Sequence, residues 1–175
     1  MSPRKIVAVL GVSETHSVFM AKQIAKTNAV LLFDHNAVVL NSVFSEIQTA
    51  HPNANVEMMI CPTNASWEAD VIVLSNDAVI DGYGINKIKN VATGKLVIFF
   101  ENAFSSDFES HSSERIQALF PFSKVVHICE SKAIPSDSFD ISGNNQEAVQ
   151  TVFTLLTSIG LKASEKKIKL NKKIK

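Results

Sequence analysis

Short, continuous apolar runs alternate along this chain with longer stretches whose apolar residues recur every third or fourth position. The first run, Ile6-Val7-Ala8-Val9-Leu10, stops at Gly11. A run without polar alternation reads as a strand buried on both faces, as in a parallel sheet. Val18, Ala21, Ile24 and Ala25 then fall on one face of a helix expected over about Ser17–Lys26. A second strand is expected over Ala29–Phe33, ending at Asp34. A second helix is expected over Ala37–Ala50, with Val39, Leu40, Val43, Phe44 and Ile47 inward, and His51-Pro52-Asn53 breaks it.

Further strands are expected near Val56–Ile60, Asp70–Ser75, Lys95–Phe100 and Val125–Cys129, with a helix around Ser113–Leu119. A short strand near Phe139–Ile141 precedes the best-defined helix, Gln146–Ile159. Its inner face is Val149, Val152, Phe153, Leu156 and Ile159, and Gly160 is placed to end it in a left-handed cap. A strand is expected to begin after Lys162. Strands alternating with helices predict an α/β fold: a doubly wound, mostly parallel sheet with helices on both faces, Rossmann-like. The expected organisation is one domain over 1–163 and a basic tail over 164–175.

Composition agrees with one globular domain. The chain has 175 residues, 46% of them hydrophobic, enough to bury a core. The net charge is zero, yet Lys162–Lys175 holds seven lysines and one glutamate, so a tail at +6 balances a body at −6. An acidic body argues against a nucleic-acid surface. The tail reads as a solvated terminus, or as a contact for an acidic partner or a membrane surface. Cys61 and Cys129 make no disulfide framework and read as buried free thiols of a reducing, cytoplasmic compartment. The start lacks the long apolar core of a signal peptide, and no apolar run reaches the length of a membrane span.

In a doubly wound sheet, ligands bind at the carboxyl ends of the strands, where strand order reverses. The first strand-to-helix turn is Gly11-Val12-Ser13-Glu14-Thr15-His16-Ser17. A dinucleotide turn uses glycine at positions 11, 13 and 16 of this chain for the tight turn, the approach to the pyrophosphate and close helix–strand packing. Only Gly11 is kept. Ser13 and His16 replace the others, and Glu14 adds a carboxylate whose repulsion of a phosphate is worth about 3 kcal/mol at about 5 Å. That rivals what a helix N-terminus contributes, about 0.3–1 kcal/mol per charge. The hydroxyls of Ser13 and Thr15 offer replacement contacts. The same residues also read structurally, with Ser13 or Thr15 as N-cap and Glu14 as a favourable first-turn acid. Asp34 stands where an acid bonds the adenosine ribose and disfavours a 2′-phosphate; it reads equally as the cap of the next helix.

Three phrases resemble the deazaflavin-dependent NADP oxidoreductase family. They are Asp70-Val71-Ile72-Val73-Leu74, then Gly94-Lys95-Leu96-Val97-Ile98 with Asn102, and lastly Val125-Val126 with Gly143-Asn144-Asn145-Gln146-Glu147-Ala148 and Ile159-Gly160. The resemblance spans most of residues 5–163. It implies a Rossmann-type domain that moves hydride between NAD or NADP and a second redox partner, often a flavin or deazaflavin, in a homodimer. Taken with the turn and the strand ends, a nucleotide is expected at Gly11, Val12, Ser13, Glu14, Asp34, Ser75, Asn76 and Asn102. The departures fall on the working parts. Asp34-His35-Asn36 stands where the family has basic and hydroxyl residues, Ser75-Asn76-Asp77 lacks its proline, Glu101-Asn102-Ala103 replaces Thr-Asn-Pro, and Cys129-Glu130 replaces its aromatic-Asn pair. Only Gly11 and Asn102 carry over unchanged.

No other chemistry stands out. The five histidines (His16, His35, His51, His111 and His127) lack the spacing of a helical metal pair, so no metal site is expected. His127 lies inside a strand and reads as a core or edge histidine, and His16 as a surface residue or an anion contact at the helix start. Trp67 reads as core. Phe99-Phe100-Glu101-Asn102-Ala103-Phe104, with Phe108, reads as core, as a dimer or docking surface, or as a cover for a flat ring. No residue is singled out as catalytic. The alternative to a nucleotide-binding oxidoreductase is a scaffold or protein-interaction module that kept the fold and lost the cofactor.

Overall fold

A computed structural model of the chain describes residues 4–75, 83–101, 112–130 and 138–165. Eight strands form one sheet. They are β1 (Ile6–Leu10), β2 (Ala29–Phe33), β3 (Val56–Met58), β4 (Val71–Leu74), β5 (Leu96–Glu101), β6 (Lys124–Glu130), β7 (Ser138–Gly143) and β8 (Lys162–Glu165). Their spatial order is β3-β2-β1-β4-β5-β6-β7-β8. The first six follow the doubly wound order, with the reversal between β1 and β4. All neighbours are parallel except β6 and β7, which run antiparallel.

The helices are α1 (Thr15–Ile24), α2 (Ala37–Ala50), α3 (Pro62–Glu68), α4 (Tyr83–Ile88), α5 (Ser112–Leu119) and α6 (Gln146–Ser158). Because side chains alternate across a strand, β1 sends Val7 and Val9 to one face and Ala8 and Leu10 to the other. Val7 and Val9 join a core with Met20 and Ile24 of α1, Leu40 and Ile47 of α2, and Val152 and Leu156 of α6. Ala8 and Leu10 join a second core with Ala65 of α3, Ile88 of α4 and Ile116 of α5. The sheet is therefore covered on both sides, which is why its central strands contain no polar alternation. Burying each large apolar side chain contributes about 1.5–3 kcal/mol.

The end of α6 matches the expectation. Gly160 adopts φ +85°. Its amide donates to Thr157 O at 3.1 Å, and that of Leu161 to Leu156 O at 3.0 Å, the paired bonds of a Schellman cap. Three expectations are corrected. The third strand stops at Met58, so Ile60 stands outside it, 97% exposed. The first helix starts at Thr15, two residues early. Trp67 is 70% exposed, because the seven-residue α3 buries Pro62, Ala65 and Ser66 and turns Trp67 outward.

Candidate functional site

The carboxyl ends of β1, β2, β4, β5 and β6 lie along one edge of the sheet. The reversal between β1 and β4 opens the crevice there that such sheets use for ligands. Gly11 leaves β1 with φ +84°, a left-handed conformation that costs a side-chain-bearing residue about 1–3 kcal/mol. This turn lets the Gly11 amide donate to Phe33 O at 2.9 Å, fastening the β1 turn to the end of β2. Across the crevice, the Ser75 amide donates to Leu10 O at 3.3 Å, and Ser75 is fully buried. Val12 is also buried.

The Ser13 hydroxyl donates to Asp34 Oδ2 at 2.7 Å, and the Asn36 amide donates to Asp34 Oδ1 at 2.8 Å. Asp34 is thus held by both oxygens at the end of β2. It does not cap α2. Asn36 does, its Oδ1 accepting from the amides of Val38 (3.0 Å) and Val39 (3.3 Å). Nor does Ser13 or Thr15 cap α1. Glu14 occupies that position in extended conformation, and its side chain makes no bond to the first amides of the helix. The hydroxyl expected to cap is drawn instead to the carboxylate across the turn. α6, by contrast, is capped by Asn145, whose Oδ1 accepts from Ala148 at 2.9 Å.

One pair was not foreseen. His16, in the first turn of α1, places Nε2 2.9 Å from Glu130 Oε1 at the end of β6. Its ring stacks on Phe100 of β5, centroids 5.3 Å apart and planes at 23°. Phe100 is buried and meets Phe139 edge-on at 5.6 Å. The two bonded residues are 114 positions apart, so only the topology brings them together. Of the other histidines, His35 is exposed and sits edge-on to Phe33, and His127 is buried and stacked on Phe99. Asn76 and Asn102 lie outside the described residues, as do Phe104, Phe108 and the tail beyond Glu165.

Cys61 and Cys129 are free thiols but half-buried, not buried as expected, Cys61 because it precedes α3 outside any strand and Cys129 because it nears the open end of β6. Hydrogen bonds from the Asn64 and Thr63 amides hold the Cys61 thiol below its ordinary range. Among the described residues no three His, Cys, Asp or Glu side chains gather as a metal site, and no helix is long and apolar enough to cross a membrane. Two grooves, of about 430 and 560 Å³, lie at the opposite, amino edge of the sheet, where Lys5 and Val71 line both.

No protein-family model matches the chain, and no curated protein matches it by sequence. Solved structures do match in fold. A protein of Arthrobacter sp. FB24 assigned as an F420-dependent NADP reductase superposes with a TM-score of 0.69 at 22% identity, over 93% of this chain and 84% of that one. An imine reductase variant from Myxococcus stipitatus, solved with NAD+, gives 0.69 at 11% identity, over 93% of this chain and 55% of its own. Pyrroline carboxylate reductase of Plasmodium falciparum, with NADP bound, gives 0.63 at 17%, over 95% and 59%. The chain spans little more than half the length of the last two. These likenesses establish the chain as a Rossmann-like α/β fold.

Proposed function

We propose that the chain binds an adenine dinucleotide at the carboxyl edge of its sheet and serves as an oxidoreductase-like protein, with hydride transfer between the nicotinamide and a second redox partner. The observation that carries this reading is the Gly11 turn. Gly11 makes the tight turn at φ +84°, its amide bonds Phe33 O, and Ser13 stands against Asp34 beside the start of α1. Gly11, Val12, Ser13 and Glu14 would face the diphosphate, and Asp34 the adenosine ribose. Ser75 follows β4 at the same edge, and Asn76 and Asn102 come next after Ser75 and β5 in the sequence. Asp34 favours NAD over NADP, since its carboxylate repels a 2′-phosphate and accepts from a 2′-hydroxyl. A nicotinamide supplies the redox chemistry when bound, and the chain's own residues supply position and electrostatics. The fold neighbours support this reading, and the resemblance to the deazaflavin-dependent family suggests a flavin or deazaflavin as second partner.

A scaffold that has lost the cofactor is the second reading. The replacement of two turn glycines by Ser13 and His16 favours it, with Glu14 beside them. Calorimetric titration with NAD, NADH, NADP and NADPH at low salt decides between the two. Micromolar binding, tighter for the forms without the 2′-phosphate, is the expected result. Heat from none of the four leaves the scaffold.

A further inference from the structure

The crevice of a doubly wound sheet has two mononucleotide halves, one over β1–β3 and one over β4–β6. They differ sharply in this chain. Over the first half, Ser13 is exposed and Asp34 half-exposed, so the Ser13 hydroxyl can yield its place on Asp34 to a ribose hydroxyl. Over the second half, the His16 side chain leaves α1, lies on Phe100 of β5 and reaches Glu130 of β6. Phe100 and Phe139 belong to the core that α1 and α6 share, so the pair closes the carboxyl end of that face over β5 and β6. His16 also occupies the position where a dinucleotide turn has its third glycine. Both members of the pair are mostly covered, at 21% and 25% exposure.

We infer that the His16–Glu130 pair covers the second half of the crevice, so that the adenosine diphosphate part of the dinucleotide binds without rearrangement while the nicotinamide end is admitted only when the pair parts. This rests on the nucleotide reading above and names the part of the ligand recognised. The nicotinamide gains a seat only when the pair parts, and parting them gives up a charge-assisted hydrogen bond and the stacking on Phe100.

The test compares ADP-ribose with NADH by calorimetry. Both carry the same diphosphate charge and differ in the dihydronicotinamide. The wild-type chain is expected to bind ADP-ribose at least as tightly as NADH. His16→Gly and Glu130→Ala are each expected to raise the NADH affinity relative to ADP-ribose, by about tenfold. Removing Glu130 relieves repulsion of both ligands equally, so the ratio reports access and not charge. Glu130→Ala leaves α1 untouched and keeps the test standing if His16→Gly fails to fold. Wild-type preference for NADH overturns the inference and leaves nucleotide binding intact, as does a ratio that stays the same or falls in the variants. Failure of the wild type to bind either ligand overturns the nucleotide reading and, with it, the inference.

Discussion

The two edges of the sheet use polar side chains differently. At the amino edge, side chains bond backbone, apart from exposed pairs such as Lys124 with Glu147. Asp70 Oδ2 accepts from the Ile6 amide at 2.9 Å, while the Asp70 amide donates to Ile6 O at 2.8 Å. The Ser123 hydroxyl donates to Ala92 O at 2.8 Å. Lys95 Nζ donates to the carbonyls of Ser66 (2.7 Å) and Ala69 (2.8 Å), and to that of Trp67, gathering the end of α3. At the carboxyl edge, Ser13 with Asp34 and His16 with Glu130 are side-chain pairs. A side chain bonded to backbone holds the fold, and its partner has nowhere else to go. A side chain bonded to another side chain can exchange that partner for a ligand. Asp70 and Lys95, which line one of the two grooves at the amino edge, therefore hold the fold.

The largest effect that separates the edges is expected from Lys95→Met. It leaves three carbonyls around the end of α3 without their charged donor, a loss of about 2–3 kcal/mol. Chemical denaturation measures it, and nucleotide affinity of the folded fraction is expected to stay unchanged. A loss of affinity together with the stability would merge the two edges. Gly11→Val comes next, at about 2 kcal/mol, because φ +84° is strained for a β-branched residue. It sits in the turn itself, so stability and binding are both expected to fall. Asp34→Ala is the mirror of Lys95→Met. The carboxylate is half-exposed and its lost partners, the Ser13 hydroxyl and the Asn36 amide, are exposed to water that can replace it, so the melting curve shifts little while NAD affinity falls about tenfold. Preference over NADP is expected to shrink with it in the same titration.

The same contrast explains what the sequence disclosed. Central strands such as Val7–Leu10 and Val71–Leu74 are legible because burial on both faces removes every polar residue from them. Gly160 is legible because a Schellman cap is written in a few consecutive residues. Gly11 stands out for the same local reason. α3 escaped because seven residues hold too few turns for an apolar period, and Trp67 misled because aromatic character was taken as burial. The cap of α1 escaped because Ser13 finds a carboxylate 21 positions away, which no local rule anticipates. His16–Glu130 needs both the turn alignment that puts His16 at the helix start and the strand order that puts β6 within reach. Each signal was present, and their meeting was not.

The smallest effect belongs to the exposed ion pairs, which serve neither edge's purpose. Lys22 bonds Glu46 from α1 to α2, and Lys124 bonds Glu147 at 2.9 Å from β6 to α6. In each case the lysine's hydrogen bond and charge hold the carboxyl below its ordinary range. The folded carboxyls therefore bind protons less readily than they do in the unfolded chain. Their contribution is present above the ordinary carboxylate range and is lost as pH falls through the lowered folded values. Glu46→Gln and Glu147→Gln are expected to leave the neutral melting temperature within about 1 °C, since exposed pairs contribute little. Both are expected to flatten the acid limb of the stability curve, and salt at about 1 M, with a screening length near 3 Å, should narrow the difference from wild type. If either substitution lowered the neutral melting temperature as far as Lys95→Met, partner type would not be what separates structural from exchangeable polar groups in this fold.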